Sequence, residues 1–282
     1  MLKTISLIGG GRLATNLGRL WAKAGILLIQ DVYCRSLDSS HKAIGLIGSG
    51  RPVTEFRDMR NADIFLIATP DQAIASVTAR LVACGRIAES SVVFHCSGAE
   101  SSRLLEPARA VGAATASAHP LMTFSEHLIA AEQFAGTYCA VEGDPPACVL
   151  VDKIFAAIGA RTIALLPDQK ILYHAAAIFA SNYLVTLLQT AIDIHKLVGI
   201  PPGVSMEMLA PLVRRSVENA IIAGPDHALT GPIRRGDTEI VQRQFAALSA
   251  ADDAVADLYR ILATRTAMLA NVPDPLTPKE GD

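Results

Sequence analysis

Short runs of β-branched and aliphatic residues recur along the first 166 residues, at 4–8, 26–33, 63–68, 91–96, 114–118, 137–142 and 161–166, and each predicts a strand. Between several of them apolar positions repeat at helical spacing, over 72–83, 101–110 and 146–158. Strands alternating with helices predict βαβ units and a doubly wound, mostly parallel sheet. The pattern changes at residue 167. Beyond it no segment has strand character. Residues 169–198 predict one long helix, stopped by Gly199-Ile200-Pro201-Pro202, and helices follow over 204–223, 236–248 and 251–270. The predicted organisation is an α/β domain over 1–166, an all-α domain over 167–272, and a proline-containing, disordered tail over 273–282.

The first strand leads directly into Gly9-Gly10-Gly11-Arg12-Leu13-Ala14, and a helical segment over 15–24 follows. A G-x-G-x-x-A arrangement can be a purely structural turn. Placed between a strand and a helix, it has the parts a dinucleotide needs. Gly9 permits the tight turn, Gly11 lets a pyrophosphate approach the backbone, and Ala14 lets the helix pack close to the sheet. The helix-start N–H groups, around Arg12 and Leu13, face the diphosphate charge. The α/β domain is therefore expected to be of Rossmann type.

The residue at the tip of the second strand meets the adenosine ribose, where a carboxylate selects NAD and an arginine accommodates the 2′-phosphate of NADP. Asp31 suits the first role by spacing. Ile29 to Tyr33 continues strand-like, which puts the tip at Cys34-Arg35-Ser36 and favours NADP. Ligands lie beyond the carboxyl ends of such strands, so Thr69, Pro70 and Ser97 are further candidate cofactor contacts. His95 is expected to point into the core. His119, after the strand at 114–118, reads either as an acid/base group or as a loop histidine that orients its turn.

On the long helix, His174, Ser181, Asn182 and Gln189 fall within about 100° of one another at 100° per residue, among alanines and leucines. The stripe lacks the Lys and Glu of an ordinary solvent-facing stripe, and predicts a polar cleft. The loop Leu229-Thr230-Gly231-Pro232-Ile233-Arg234-Arg235-Gly236-Asp237 offers Arg235 as a clamp for a substrate carboxylate, with Asp237 beside it. An Arg–Asp lock between helices is the alternative.

Composition narrows the partners. Among 282 residues, 25 Lys and Arg face 27 Asp and Glu, a formal charge of −2, without a basic run, which disfavours nucleic acid. The five scattered cysteines lack the pairing of a disulfide framework or a metal site, and fit reduced thiols in a cytoplasmic protein. No run is expected to reach membrane-spanning length; the apolar 171–194 comes closest, but it carries His174, Asn182 and Asp193. The apolar character of the helical domain predicts a homodimer.

On these residues the chain resembles Rossmann-like proteins whose C-terminal half is the domain of unknown function 2520. The resemblance spans nearly the whole chain. It is carried by Gly9-Gly10-Gly11-Arg12, Tyr33-Cys34-Arg35-Ser36, Ser97-Gly98-Ala99, His119-Pro120-Leu121, Tyr173-His174-Ala175-Ala176-Ala177 with Ala180-Ser181-Asn182-Tyr183, and Leu229-Thr230-Gly231-Pro232 with Arg235-Gly236-Asp237. It implies a 6-phosphogluconate-dehydrogenase-like helical domain and an NADP-dependent reductase, often dimeric. More distantly the chain is similar to ketopantoate reductases, pyrroline-carboxylate reductases and β-hydroxyacid dehydrogenases. Several hydroxyacid enzymes carry a Lys and an Asn four apart on the long helix. Asn182 matches the Asn, but Ile178 stands at the Lys position.

The expected function is NADP(H)-dependent hydride transfer to or from a small carbonyl or imine, such as a 2-keto acid. His174 or His119 handles the proton, Asn182 orients the substrate oxygen, and Ser181, Arg235 and Asp237 contact substrate in a cleft between the domains. The alternative is a dinucleotide-binding regulatory or scaffold protein without turnover.

Overall fold

The computed structural model describes residues 2–124 and 128–277. The chain forms two compact units, Met1–Phe179 and Ala180–Asp282. The seam expected at 167 falls one helix later, because the first turns of that helix are tied to the α/β unit through Lys170, whose ammonium bonds Ser97 and Ser117.

The first unit is built on one eight-stranded sheet. Its strands are β1 (Lys3–Ile8), β2 (Leu27–Tyr33), β3 (Arg51–Val53), β4 (Ile64–Ile67), β5 (Val92–His95), β6 (Ala114–Pro120), β7 (Tyr138–Gly143) and β8 (Arg161–Ala164). Their order is β3-β2-β1-β4-β5-β6-β7-β8. All neighbours pair in parallel except β6 and β7. The order reverses between β1 and β4, the switch point at which doubly wound sheets bind ligands. The helices are α1 (Arg12–Ala24), α2 (Leu37–Ile47), α3 (Ile74–Ala83), the single turns α4 (Glu106–Arg109) and α5 (Ala131–Phe134), α6 (Pro145–Ala156) and α7 (Lys170–Ala180).

Both sheet faces are covered, so β4 is apolar throughout and all four of its residues are buried. Alternate residues serve different cores. Ile64 and Leu66 join Trp21, Phe94 and Phe155, while Phe65 and Ile67 join Tyr33, Phe56 and Leu105. Trp21 packs edge-on against Phe94 and Phe155 and donates its indole N–H to Ile154 O at 3.0 Å. Asp144 stands at the N-cap of α6 as its sequence suggests. Its carboxylate instead accepts from Thr115 N and Oγ1, at 2.8 and 2.9 Å, fastening α6 to β6.

The second unit contains α8 (Asn182–Leu197), α9 (Pro202–Ala223), the single turns α10 (Pro225–Ala228) and α11 (Pro232–Arg235), α12 (Thr238–Ala251) and α13 (Asp253–Ala270). The helix predicted over 169–198 is broken at Ser181, whose φ of −122° and ψ of −73° leave the helical region. The break resets the rotation, so the four-residue polar stripe is not one continuous helical face. By length and composition Pro167–Leu197 as a whole is long and apolar enough to cross a membrane, and the break at Ser181 divides it into α7 and α8. Part of the predicted tail is also corrected. Residues 273–277 are held to the helices by Thr264 Oγ1 to Asp274 at 2.6 Å and Gln242 Nε2 to Pro275 O at 3.3 Å. The remaining tail, 278–282, lies outside the described residues.

Candidate dinucleotide site and histidine edge

The glycine turn has the shape its sequence predicts. Gly9 lies at φ +114°, and a Cβ there would sit 2.3 Å from Ala68 O, so the turn runs directly against the end of β4. Gly9 N donates to Tyr33 O at 2.9 Å, which joins the turn to β2. Around Gly11 the situation is opposite: a Cβ would meet nothing within 4 Å. Gly11 is the N-cap of α1 and supplies no side-chain cap, leaving the first N–H groups of that helix directed outward.

A cavity of about 570 Å³ opens here, lined by Gly9, Gly11, Arg35, Thr69, Pro70 and Arg80 among others. Arg35 follows β2 and Arg80 belongs to the last turn of α3. Neither guanidinium has a carboxylate partner among the described residues. Arg80 lies 4.7 Å over the Phe56 ring, which stacks on Tyr33 at 4.1 Å. Thr69 Oγ1 is buried without a hydrogen-bond partner. An open glycine, an uncapped helix start, an orphaned hydroxyl and two unneutralised guanidinia fit a phosphate-bearing nucleotide.

Asp31 cannot serve the ribose. It is fully buried and accepts from Arg51 Nε at 2.9 Å, Arg60 N at 2.7 Å and Arg60 NH2 at 2.6 Å. Burial alone would raise its pKa, but hydrogen bonds from Arg51 and Arg60 outweigh that and hold it below the ordinary carboxylate range. The other predicted cofactor residues divide. Arg12 lines a neighbouring cavity of about 500 Å³ with Asn16, Ser39 and Lys42. Leu13 packs against the core. Ser36 caps α2 through Ser39 N at 3.3 Å, and Ser39 rather than Ser36 lines the first cavity. Ser97 donates to Asp71 at 2.8 Å.

Beyond β5 and β6 a second polar cluster forms. A Cβ on Gly98 would lie 2.3 Å from His174 Nδ1 and 2.9 Å from His119 Nε2, so both imidazoles close on that one glycine. Their rings meet edge to face with centroids 5.6 Å apart. Tyr173 hydroxyl lies 3.4 Å from His119 Nδ1. His174 Nδ1 is buried and unpartnered, as a proton-handling group awaiting a ligand would be. His119 is lowered to about 4, first by burial and then by Lys170 and His174, and is neutral near pH 7. His95 is fully buried as expected: Nδ1 accepts from Ser97 N at 3.2 Å and Nε2 faces Ser101 O at 3.0 Å.

The remaining candidates lie in the second unit. Ser181 and Asn182 are exposed at the helix break, and Gln189 binds Asp193 at 3.1 Å. Arg235 and Asp237 pair with each other at 2.9 Å. This ion pair joins the last residue of α11 to the N-cap of α12. Two residues escaped the sequence reading, Arg80 and Lys170. Arg80 lies on a segment whose apolar spacing predicts a helix, but its place on the same cavity as Arg35 follows from the sheet order.

The geometry thus defines an α/β unit of Rossmann type followed by a helical unit. Residues 2–120 match the Rossmann-like domain and residues 137–266 match the domain of unknown function DUF2520, so the chain carries the two domains that its sequence resembles. No curated protein matches it. Solved structures share its fold over 95% of its length and 98% of theirs. The putative NADP oxidoreductase BF3122 from Bacteroides fragilis is 21% identical with a TM-score of 0.78. Protein TM1727 from Thermotoga maritima is 23% identical with a TM-score of 0.75. Pyrroline carboxylate reductase from Plasmodium falciparum, solved with NADP bound, is 13% identical with a TM-score of 0.58.

Proposed function

We propose that the chain is an NADP(H)-dependent oxidoreductase acting on a small carbonyl or imine compound, for which a 2-keto acid is one candidate. The observation that carries this reading is the placement of two unneutralised guanidinia, Arg35 and Arg80, on the cavity that the glycine turn opens. Guanidinia pair bidentately with phosphate oxygens, and the buried Asp31 leaves no competing carboxylate for a ribose hydroxyl. When bound, the nicotinamide would supply or accept the hydride. The chain's own residues bind the phosphates at Gly11 and the α1 start, and handle a proton at His174 or His119. Asn182 is assigned to substrate orientation by family resemblance, Ser181 by its place in the polar stripe, and Arg235 with Asp237 by the carboxylate-pairing chemistry of guanidinium. Titration with NADPH and NADH, followed by nicotinamide fluorescence, tests the reading. Tighter NADPH binding, reduced in Arg35→Ala and Arg80→Ala, supports it. Tighter NADH binding overturns the cofactor choice. Binding without consumption across a carbonyl and imine screen favours the regulatory alternative.

The protein is further proposed to work as a cytoplasmic homodimer. Large buried side chains in the second unit are few among the described residues, chiefly Ile192 and Val241. Meanwhile Val185, Ile221, Ile222 and Met268 are each at least 66% exposed. Such a surface is far more apolar than a monomer ordinarily displays. A monomer by light scattering at micromolar concentration would refute this.

A further inference from the structure

Lys170 opens α7 and is only 1% exposed, an unusual position for a residue whose charge burial disfavours. Its ammonium donates to Ser97 O at 2.9 Å and to Ser117 Oγ at 2.8 Å. Each contact is one step from the histidine pair. Ser97 precedes Gly98, against which both imidazoles close. Ser117 lies two residues before His119 on β6, hence on the same face of that strand. His174 follows Lys170 by four residues, on the same face of α7. One buried cation therefore touches, or sits one turn from, each of the three elements that bring His119, Gly98 and His174 together.

We propose that Lys170 is the positioning residue of the His119–His174 pair: it fixes α7 against the ends of β5 and β6 and acts on His119 through its charge. Burial lowers the lysine's own pKa, against the Glu142 and Asp71 carboxylates, which favour the ammonium. Glu142 is itself buried on β7 and held by Ser102 N at 2.6 Å and Ser102 Oγ at 2.8 Å. The Cys96 and Cys139 thiols face the same space, and burial pushes both upward, so they stay protonated and do not neutralise the lysine. Tyr173 is likewise raised by burial and remains a neutral phenol. With its ammonium held by Ser97 O and Ser117 Oγ, Lys170 opposes a second positive charge on His119, with Asp71 the carboxylate acting in the other direction. A hydrocarbon side chain at 170 would fill the space but do neither task.

The proposal rests on reading His119 and His174 as the acid/base pair, but its test needs neither cofactor nor substrate. The full chain, labelled at histidine Cε1, is titrated by NMR, with resonances assigned from single histidine substitutions. In Lys170→Gln, which keeps a hydrogen-bonding group and removes the charge, the His119 midpoint should rise by about half a pH unit or more. In Lys170→Arg it should return toward the parent value. An unchanged midpoint in folded Lys170→Gln overturns the proposal and leaves the lysine a packing role. If Lys170→Gln does not fold, Ser117→Ala, which removes one lysine partner, should displace the His119 and His174 resonances; unmoved resonances have the same overturning force. NADPH titration of the parent protein separates the readings. Failure to bind sinks the dinucleotide proposal and leaves the histidine titration as a valid test of Lys170.

Discussion

Replacing Gly11 and Gly98 by alanine, one at a time, should separate the two halves of the site. The added Cβ at Gly98 would stand 2.3 Å from His174 Nδ1 and 2.9 Å from His119 Nε2, whereas ordinary van der Waals contact begins near 3.4 Å. One or both rings must retreat by about 1 Å, into surroundings that include the half-buried Tyr173. Overpacking of this kind costs about 1–3 kcal/mol. At Gly11 the Cβ meets nothing within 4 Å, and the backbone, at φ −73°, is one alanine adopts freely. Gly11→Ala should therefore change stability by no more than about 0.5 kcal/mol. Its methyl occupies the space through which a pyrophosphate must reach the helix N-terminus, so NADPH affinity should fall by about tenfold or more, equivalent to about 1.4 kcal/mol. The expected pattern is a crossed one. Gly11→Ala unfolds in urea like the parent but binds NADPH weakly. Gly98→Ala unfolds at lower urea, binds NADPH within about threefold of the parent, and loses turnover once a substrate is found. Parental NADPH affinity in Gly11→Ala would refute the assignment of the glycine turn to the diphosphate.

The titratable and charged groups give three further outcomes. Asp31→Asn removes the charge and turns one of two acceptor oxygens into a donor facing arginine donors, and should destabilise the first unit by about 2–4 kcal/mol, as read by urea unfolding, without shifting the NADPH-to-NADH affinity ratio. His95 is lowered to about 4, chiefly by burial, from its ordinary 6.5. The unfolded chain therefore binds the proton first, and stability should fall as the pH drops from about 6.5 toward 4, by about 3 kcal/mol for this group. His95→Gln should flatten that slope in denaturation curves collected at successive pH values. The cation pair at the cavity is checked by a double-mutant cycle: Arg35→Ala and Arg80→Ala should each weaken NADPH more than NADH, and their effects should be non-additive if both guanidinia meet one phosphate.

The strand pattern and the glycine turn were legible because both are local. A buried parallel strand must be apolar on both faces, and Ile64–Ile67 or Val92–His95 shows this in four consecutive letters. The antiparallel register of β7 was not legible, since apolarity does not report direction. Nor was β3, whose three residues include Pro52 and are too few for a period. Helix α2 was missed because Leu37–Ile47 mixes polar and apolar positions and buries only Ser40, Ala43 and Ile47. The wheel drawn through 174–189 presumed an unbroken helix, and nothing in the letters around Ser181 announced the break.

The largest gap concerns charge. Asp31, Glu142 and Lys170 carry no local mark of burial, and in isolation a charged residue is most often on the surface. In the folded chain each is buried, and each has acquired partners far away in sequence: Asp31 from Arg51 and Arg60, Glu142 from Ser102, Lys170 from Ser97 and Ser117. The same sheet order that makes these partnerships also moves function. It removes Asp31 from the ribose and leaves Arg35 beside Arg80 on the cavity. Further along the same carboxyl edge it gathers His119 and His174 around Gly98, beside the helix that carries Lys170. The hydroxyacid enzymes that the chain resembles carry a lysine where this helix has Ile178. Here a lysine two turns earlier on the chain faces inward to the sheet edge, where the proposed function leaves proton handling to His119 and His174.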